Sequence, residues 1–210
     1  MLKQTDTPQE EKPTIYYDQR SVALRTTQNV YFVQEHDKMA MLELVLNDHK
    51  ERQTVIVVQS KKKADAISKF LLSNEFKVTS IHGNHREEQQ EKATAEFNLG
   101  TLNIIITTDM IFRTLALENV KFVLSYDLPE LPQDYYNRLA VMKELGVGIA
   151  LVDPEDEVLL SNIEFNMKAE IEEKMVEGFV ATDALKQITK RKKDRSKKPR
   201  HRKSKIKADK

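Results

Sequence analysis

Two polar turns in this sequence stand directly after apolar runs, and both carry groups that can meet a phosphate. Thr108-Asp109 follows the run Asn103–Thr107, and His82-Gly83-Asn84 follows Val78–Ile81. A threonine hydroxyl donates and accepts hydrogen bonds, and a glycine leaves its backbone N–H open to an approaching oxygen. Arg113, four residues past Asp109, adds a guanidinium whose fork of donors fits phosphate or carboxylate. Each has a plainer reading: a strand-end turn satisfying its own backbone for Thr108 and Asp109, a tight turn for Gly83, a structural ion pair for Arg113. The third signal is electrostatic. Lys186–Lys210 holds 14 Lys and Arg against two acidic residues, a net of +12, so residues 1–185 carry 20 basic and 31 acidic residues, a net of −11. The densest stretch contains Lys190, Arg191, Lys192, Lys193, Arg195, Lys197, Lys198, Arg200, Arg202 and Lys203. An acidic body with a basic arm suits association with a polyanion; the other reading is a solvated tail that aids solubility.

The elements that must position these groups follow from apolar spacing. Short apolar runs without alternation fit parallel strands covered on both faces. They occur at Val30–Gln34, Thr54–Gln59, Val78–Ile81, Asn103–Thr107, Phe122–Ser125 and Gly148–Val152. Helical periods lie between them. One runs from Lys38 to about Asn47 behind a cap at Asp37, and one opens at Ser60 with Ala64, Ile67, Leu71 and Leu72 inward. A third starts from an Asn84/Glu87 capping box and ends near Leu99, with Gly100 at C′. A further helix is expected over Glu157–Lys174, with Val158, Leu159, Ile163 and Met167 as its apolar positions, and a short one over Ala181–Lys193. Strands alternating with helices predict an α/β fold with a mainly parallel sheet, whose ligands sit at the carboxyl ends of the strands. The expected division is a lead-in at 1–13, one domain at 14–180, and a basic tail at 181–210.

Composition narrows the function. The 210 residues contain no cysteine, which removes disulfides and thiolate metal sites. No apolar run has the length to span a bilayer, and Met1–Pro13 lacks the core of a signal peptide, so a cytoplasmic protein without a membrane partner is expected. His36, His49, His82, His85 and His201 are scattered, and His82 with His85 alone makes no metal site. No nucleophile elbow or paired carboxylate stands out.

In their order these segments resemble the second, C-terminal RecA-like domain of bacterial DEAD-box RNA helicases, from about Val30 to Phe179. NIIITTDMIFRTLALENVKFVLSYDLP (Asn103–Pro129) is similar to that family's ATDVAARGIDI, strand and YDLP. TVIVVQ with Ser60 resembles its strand and polar turn that meet RNA. His82-Gly83 is followed by Glu87 and Gln90 where the family has a Gln-x-x-Arg pair. YYNRLAVMKE (Tyr135–Glu144) falls where the family has YIHRIGRTGR: Tyr135 and Arg138 keep their identities, Asn137 replaces the His, and Val141 and Glu144 replace the two arginines that reach the γ-phosphate. Thr114 and Ala116 stand where a Gly and an Asp help form the nucleotide cleft. VDPEDEVLLSNIEFNMKAEIEEKMVEGF resembles the end of the helicase core.

The resemblance implies a three-layer RecA-like domain that contacts RNA through Gly83, Thr108, Asp109 and Arg113, with the tail adding affinity. It implies degenerate cleft positions at Ala116, Arg138, Val141 and Glu144, and no catalytic residue. The phosphate loop G-x-x-x-x-G-K-[ST] and the DEAD sequence of a first RecA-like domain do not occur among the 210 residues. The expectation is therefore a stand-alone RNA-binding protein without ATPase or unwinding activity of its own, and without a cofactor unless a separate partner supplies the first domain with ATP and magnesium. The alternative is an interaction module that docks on a separate helicase or ATPase domain, half of a split helicase, using the apolar pair Val141–Met142; a relic without a present role is the third reading.

Overall fold

All six expected strands lie side by side in one parallel sheet, and a seventh completes it. The computed structural model describes residues 26–142 and 145–182. The strands are β1 (Thr26–Phe32), β2 (Thr54–Val58), β3 (Val78–Ile81), β4 (Ile104–Thr108), β5 (Phe122–Ser125), β6 (Gly146–Val152) and β7 (Glu172–Glu173). Their spatial order is β3-β4-β2-β5-β6-β1-β7, and every pair is parallel. β2, β4 and β5 are buried at every residue, as apolar runs without alternation require.

Helices cover both faces. α1 (Lys38–Asp48) and α2 (Lys61–Ser73) set Leu42, Leu46, Ile67 and Leu71 against Ile56, Ile106 and Leu124. α3 (Glu87–Asn98), α5 (Pro132–Ala140) and α6 (Glu157–Met167) set Phe97, Tyr135, Leu139 and Ile163 against Val55, Ile105 and Val123. Neighbouring strand residues such as Val55 and Ile56 thus serve opposite cores, which makes this the expected three-layer α/β arrangement. A short helix, α4 (Asp109–Phe112), follows directly from the expected turn at Thr108-Asp109.

Two helix boundaries differ from expectation, and β1 and β6 start earlier, at Thr26 and Gly146. α3 starts after Arg86, not Asn84, and the Arg86 N–H donates to Gln89 Oε1 at 3.0 Å. α6 stops at Met167 because Lys168 takes the left-handed conformation (φ 55°), and the chain beyond it forms β7 on the outer edge of β1. Val158 is exposed and Leu160 takes its place in the core. Of the short helix expected over 181–193, Ala181 and Thr182 are not helical and the remainder lies outside the described residues.

Gly148 in β6 shows how closely α5 sits on the sheet. A Cβ there would come within 2.6 Å of Leu139 Cδ2. Gly148→Ala should therefore overpack the core and cost about 1–3 kcal/mol, read as a lower urea midpoint at unchanged m-value.

Candidate nucleic-acid interface

Because the sheet is parallel, all strands release their turns at one end, and the order β3-β4-β2 sets three of those turns side by side. Neighbouring strands lie about 5 Å apart, so the three turns span roughly the length of one or two nucleotides. After β2, Ser60 caps α2, its Oγ accepting from the Lys63 N–H at 3.2 Å. This leaves Lys61 at the mouth, where its Nζ donates to Asn84 Oδ1 at 2.8 Å across the turn after β3. Gly83 is exposed and its φ is not positive. A Cβ there would lie 3.4 Å from both Lys61 Nζ and Met110 Cε, in ordinary contact. Thr108 ends β4 at the same face, and its hydroxyl makes no capping bond to α4.

The turn after β3 is braced from below. His82 is buried, with Nε2 2.9 Å from Asp65 Oδ1, which also accepts from Ser80 Oγ at 2.9 Å. The His82 bond, with help from Ser80, holds the Asp65 carboxyl below its ordinary range. The His82 N–H donates to His85 Nδ1 at 3.1 Å, and the Gln90 amide donates to the His85 carbonyl at 3.0 Å. Gln90 is thereby occupied as a brace.

Behind the face, the turns after β4 and β5 are joined by a fully buried arginine. Arg138 on α5 donates through Nε and Nη2 to the two oxygens of Asp109, each at 2.7 Å, and through Nη1 to the Asp127 carbonyl at 2.7 Å. Asp127 in turn accepts from the Gln59 N–H at 2.9 Å and from Lys63 Nζ at 2.6 Å. Lys38, only 1% exposed, completes the set: its Nζ is 3.1 Å from Glu35, 3.5 Å from Asp156 and 4.0 Å from Asp127. Burying an ammonium without partners is costly, and carboxylates from three separate parts of the chain surround this one.

The expected site residues therefore separate. Gly83 is exposed at one end, Thr108 lies beside it, buried, at the end of β4, and Lys61 and Met110, which the sequence did not single out, stand with them and with Asn84. The run Lys61-Lys62-Lys63 behind a strand was the available signal for Lys61. Asp109 is not open to a nucleic-acid strand, since Arg138 takes both its oxygens. Arg113 pairs with Asp134, the plainer of its two readings. Ala116 is exposed beyond α4, and its carbonyl accepts from Asn98 Nδ2 at 3.0 Å. Arg138, aligned with a cleft arginine, points into the domain. Val141 is half-buried against the core, and Met142 is wholly buried beneath Gly146, so the pair does not form an exposed apolar contact. Glu144 and the basic residues Lys190–Lys203 lie outside the described residues. Among the described residues no group of three His, Cys, Asp or Glu could hold a metal ion, and no helix is long and apolar enough to cross a membrane.

Comparison with known proteins agrees with this geometry. Residues 37–140 match the family model of the helicase conserved C-terminal domain. A DEAD box protein from Methanococcus jannaschii superposes with a TM-score of 0.67 at 24% identity, over 73% of this chain and 43% of that one. The E. coli DEAD-box protein SrmB, bound to regulator of ribonuclease activity A, gives 0.68 at 17% identity, over 75% of this chain and 98% of that one. S. cerevisiae Dbp5, bound to RNA and ADP BeF3, gives 0.69 at 23% identity, over 77% of this chain and 44% of that one. The chain thus spans less than half the length of the first and third of these.

Proposed function

From the premise that this chain carries a helicase conserved C-terminal domain on the fold of the DEAD-box proteins, we propose that it is an RNA-binding module without ATPase activity of its own. The turns after β2, β3 and β4 meet the sugar-phosphate strand, and the basic segment 186–210 adds long-range attraction. The observation that carries this reading is a contrast between two sides of one sheet end. The outward side keeps donors at or near the surface: the exposed Gly83 N–H, the Lys61 ammonium that also reaches Asn84, and beside them the uncapped hydroxyl of the buried Thr108. On the cleft side Arg138 is spent within the fold and Val141 is apolar. Gly83 supports the same reading, because neither its φ nor its neighbours require a glycine. A side chain there would fill the space that a phosphate approaching Lys61 needs. Such contacts read backbone and not bases, so binding should tolerate sequence changes in the RNA. The match to Dbp5, solved with RNA, is in keeping with this.

An arginine finger is worth about 10³–10⁵ in rate, and valine supplies none of it. The purified 210-residue chain should show no RNA-stimulated ATP turnover, and turnover above background in a preparation free of contaminating helicase overturns that half of the reading.

A second reading, docking on a separate RecA-like ATPase domain, has one specific support. Leu131 and Leu145 are exposed at the two ends of the α5 segment that includes Val141. Leu131→Glu with Leu145→Glu should weaken a complex with such a domain at unchanged melting temperature. A complex of undiminished affinity excludes docking through this segment.

A further inference from the structure

The most acidic part of the described domain lies beside the point from which the basic segment departs. Residues 153–177 contain nine Asp and Glu against Lys168 and Lys174, a net of −7. Between α6 and the β1–β7 edge they form a groove of roughly 640 Å³. Phe32, Leu160 and Ile171 make its floor, and Glu157, Glu164, Glu170, Glu172 and Glu173 make its rim. Two of these are engaged: Glu164 Oε1 accepts from the Ile171 N–H at 2.9 Å, and Glu172 pairs with Lys174 at 3.3 Å. Glu157, Glu170 and Glu173 have no ion pair among the described residues.

After β7 the chain passes Val176 and Phe179, which pack on the opposite core, and reaches Thr182. There it is fastened to the loop after β1. The Thr182 N–H donates to Asp37 Oδ2 at 2.9 Å, its hydroxyl donates to Asp37 Oδ1 at 2.6 Å, and the His36 ring lies 3.2 Å from its carbonyl. Phe32, in the groove, is five residues before Asp37 in the chain, so the two are at most about 18 Å apart. Six extended residues cover that distance. Ile188 is six residues past Thr182 in the sequence, so the chain is long enough to bring it to Phe32 and Lys190–Lys193 to the glutamates.

We propose that this groove is the docking site of the chain's own segment 185–193, and that RNA and the groove compete for the same cations. Leu185 and Ile188 match the apolar floor, Lys190-Arg191-Lys192-Lys193 matches the rim, and the Asp37–Thr182 fastening keeps the two near each other at any protein concentration. Docking itself does not depend on the RNA-binding reading above; the competition does.

The test uses the full chain. Amide NMR signals of residues 157 and 170–173 should differ between the full chain and a variant with Lys190, Arg191, Lys192 and Lys193 all changed to Gln. Added salt and single-stranded RNA should each move the native signals towards those of the variant. The triple variant Glu157→Gln, Glu170→Gln, Glu173→Gln should bind RNA about threefold or more tightly at low salt, and this gain should vanish when the four cations are also replaced. Identical groove signals in the two chains overturn docking. Distinct signals with unchanged RNA affinity of the triple variant overturn the competition. Groove signals that depend on protein concentration place the segment of a second copy in the groove and overturn the intramolecular form. Absence of RNA binding by every chain, with the groove signals still distinct, refutes the functional reading and leaves docking standing.

Discussion

Stopping the chain after Thr189 should remove most of its affinity for RNA at low salt and flatten the salt dependence that remains. Of the 14 Lys and Arg between Lys186 and Lys210, only Lys186 survives that truncation, and 13 are lost. Neutralising Z phosphates of a single strand gives a slope of about −0.7Z in log K against log salt. With roughly half of the cations engaged the full chain should show a slope of about −5, which is about 10³ in affinity between 50 and 200 mM salt. The truncated chain retains both cores and the outward turns, but its body repels a polyanion at long range. What remains should be short-range contact through Gly83, Thr108 and Lys61. Thr108→Glu in the truncated chain should abolish that remainder by setting a carboxylate against the phosphate, while Thr108→Ser should keep it. Titration of a labelled single-stranded RNA at several salt concentrations reads both effects. A truncated chain with the affinity and slope of the full one would make the segment a solubility device.

How much of this was legible differs from residue to residue. β2, β4 and β5 read correctly because burial on both faces leaves an unbroken apolar signature, and Val55, Ile56, Ile105 and Ile106 need no partner's identity to be placed inside. The ligand end of the sheet followed from parallel strands alone. The end of α6 did not. Its helical pattern continues through good helix formers to Lys174, yet no glycine marks the stop; the chain turns at Lys168 because Ile171 must return to the core and Glu172 and Glu173 pair with β1. Such a tertiary demand leaves no local trace. The role of Asp109 was hidden for the same reason, since its partner Arg138 lies 29 residues away. Lys38 looks like a solvated residue at a helix start, and only the convergence of Glu35, Asp127 and Asp156 makes it interior. Resemblance placed Arg138 at a nucleotide cleft, and geometry turned it inward.

That inward arginine carries the second large effect. Arg138→Met should cost about 3 kcal/mol of unfolding free energy, the low end expected for removing one partner of a buried ion pair. The low end applies because the Asp109 side chain keeps 24% of its exposure and water recovers part of the loss. Methionine fills the space of the stem but leaves the Asp109 carboxylate and the Asp127 carbonyl without their donors. Arg138→Lys should rescue little, since a single ammonium cannot bridge two carboxylate oxygens and a carbonyl in the plane the guanidinium occupies. Adding Asp109→Leu to Arg138→Met should restore much of the loss, because replacing both partners by apolar groups removes the stranded charge. Urea unfolding of the native chain, Arg138→Met, Asp109→Leu and the doubly substituted chain closes a double-mutant cycle, and a coupling of about 1.5 kcal/mol or more is expected from the two charge-assisted bonds between Arg138 and Asp109. RNA binding separates position from stability. Arg138→Met should lower it even where the chain is fully folded, since Asp109 no longer fixes Thr108 at the end of β4, and the doubly substituted chain should regain stability without regaining that affinity. If Arg138→Met unfolds at the native midpoint, the guanidinium is not a clamp between the two turns, and it is free to serve the cleft at which the family resemblance places it.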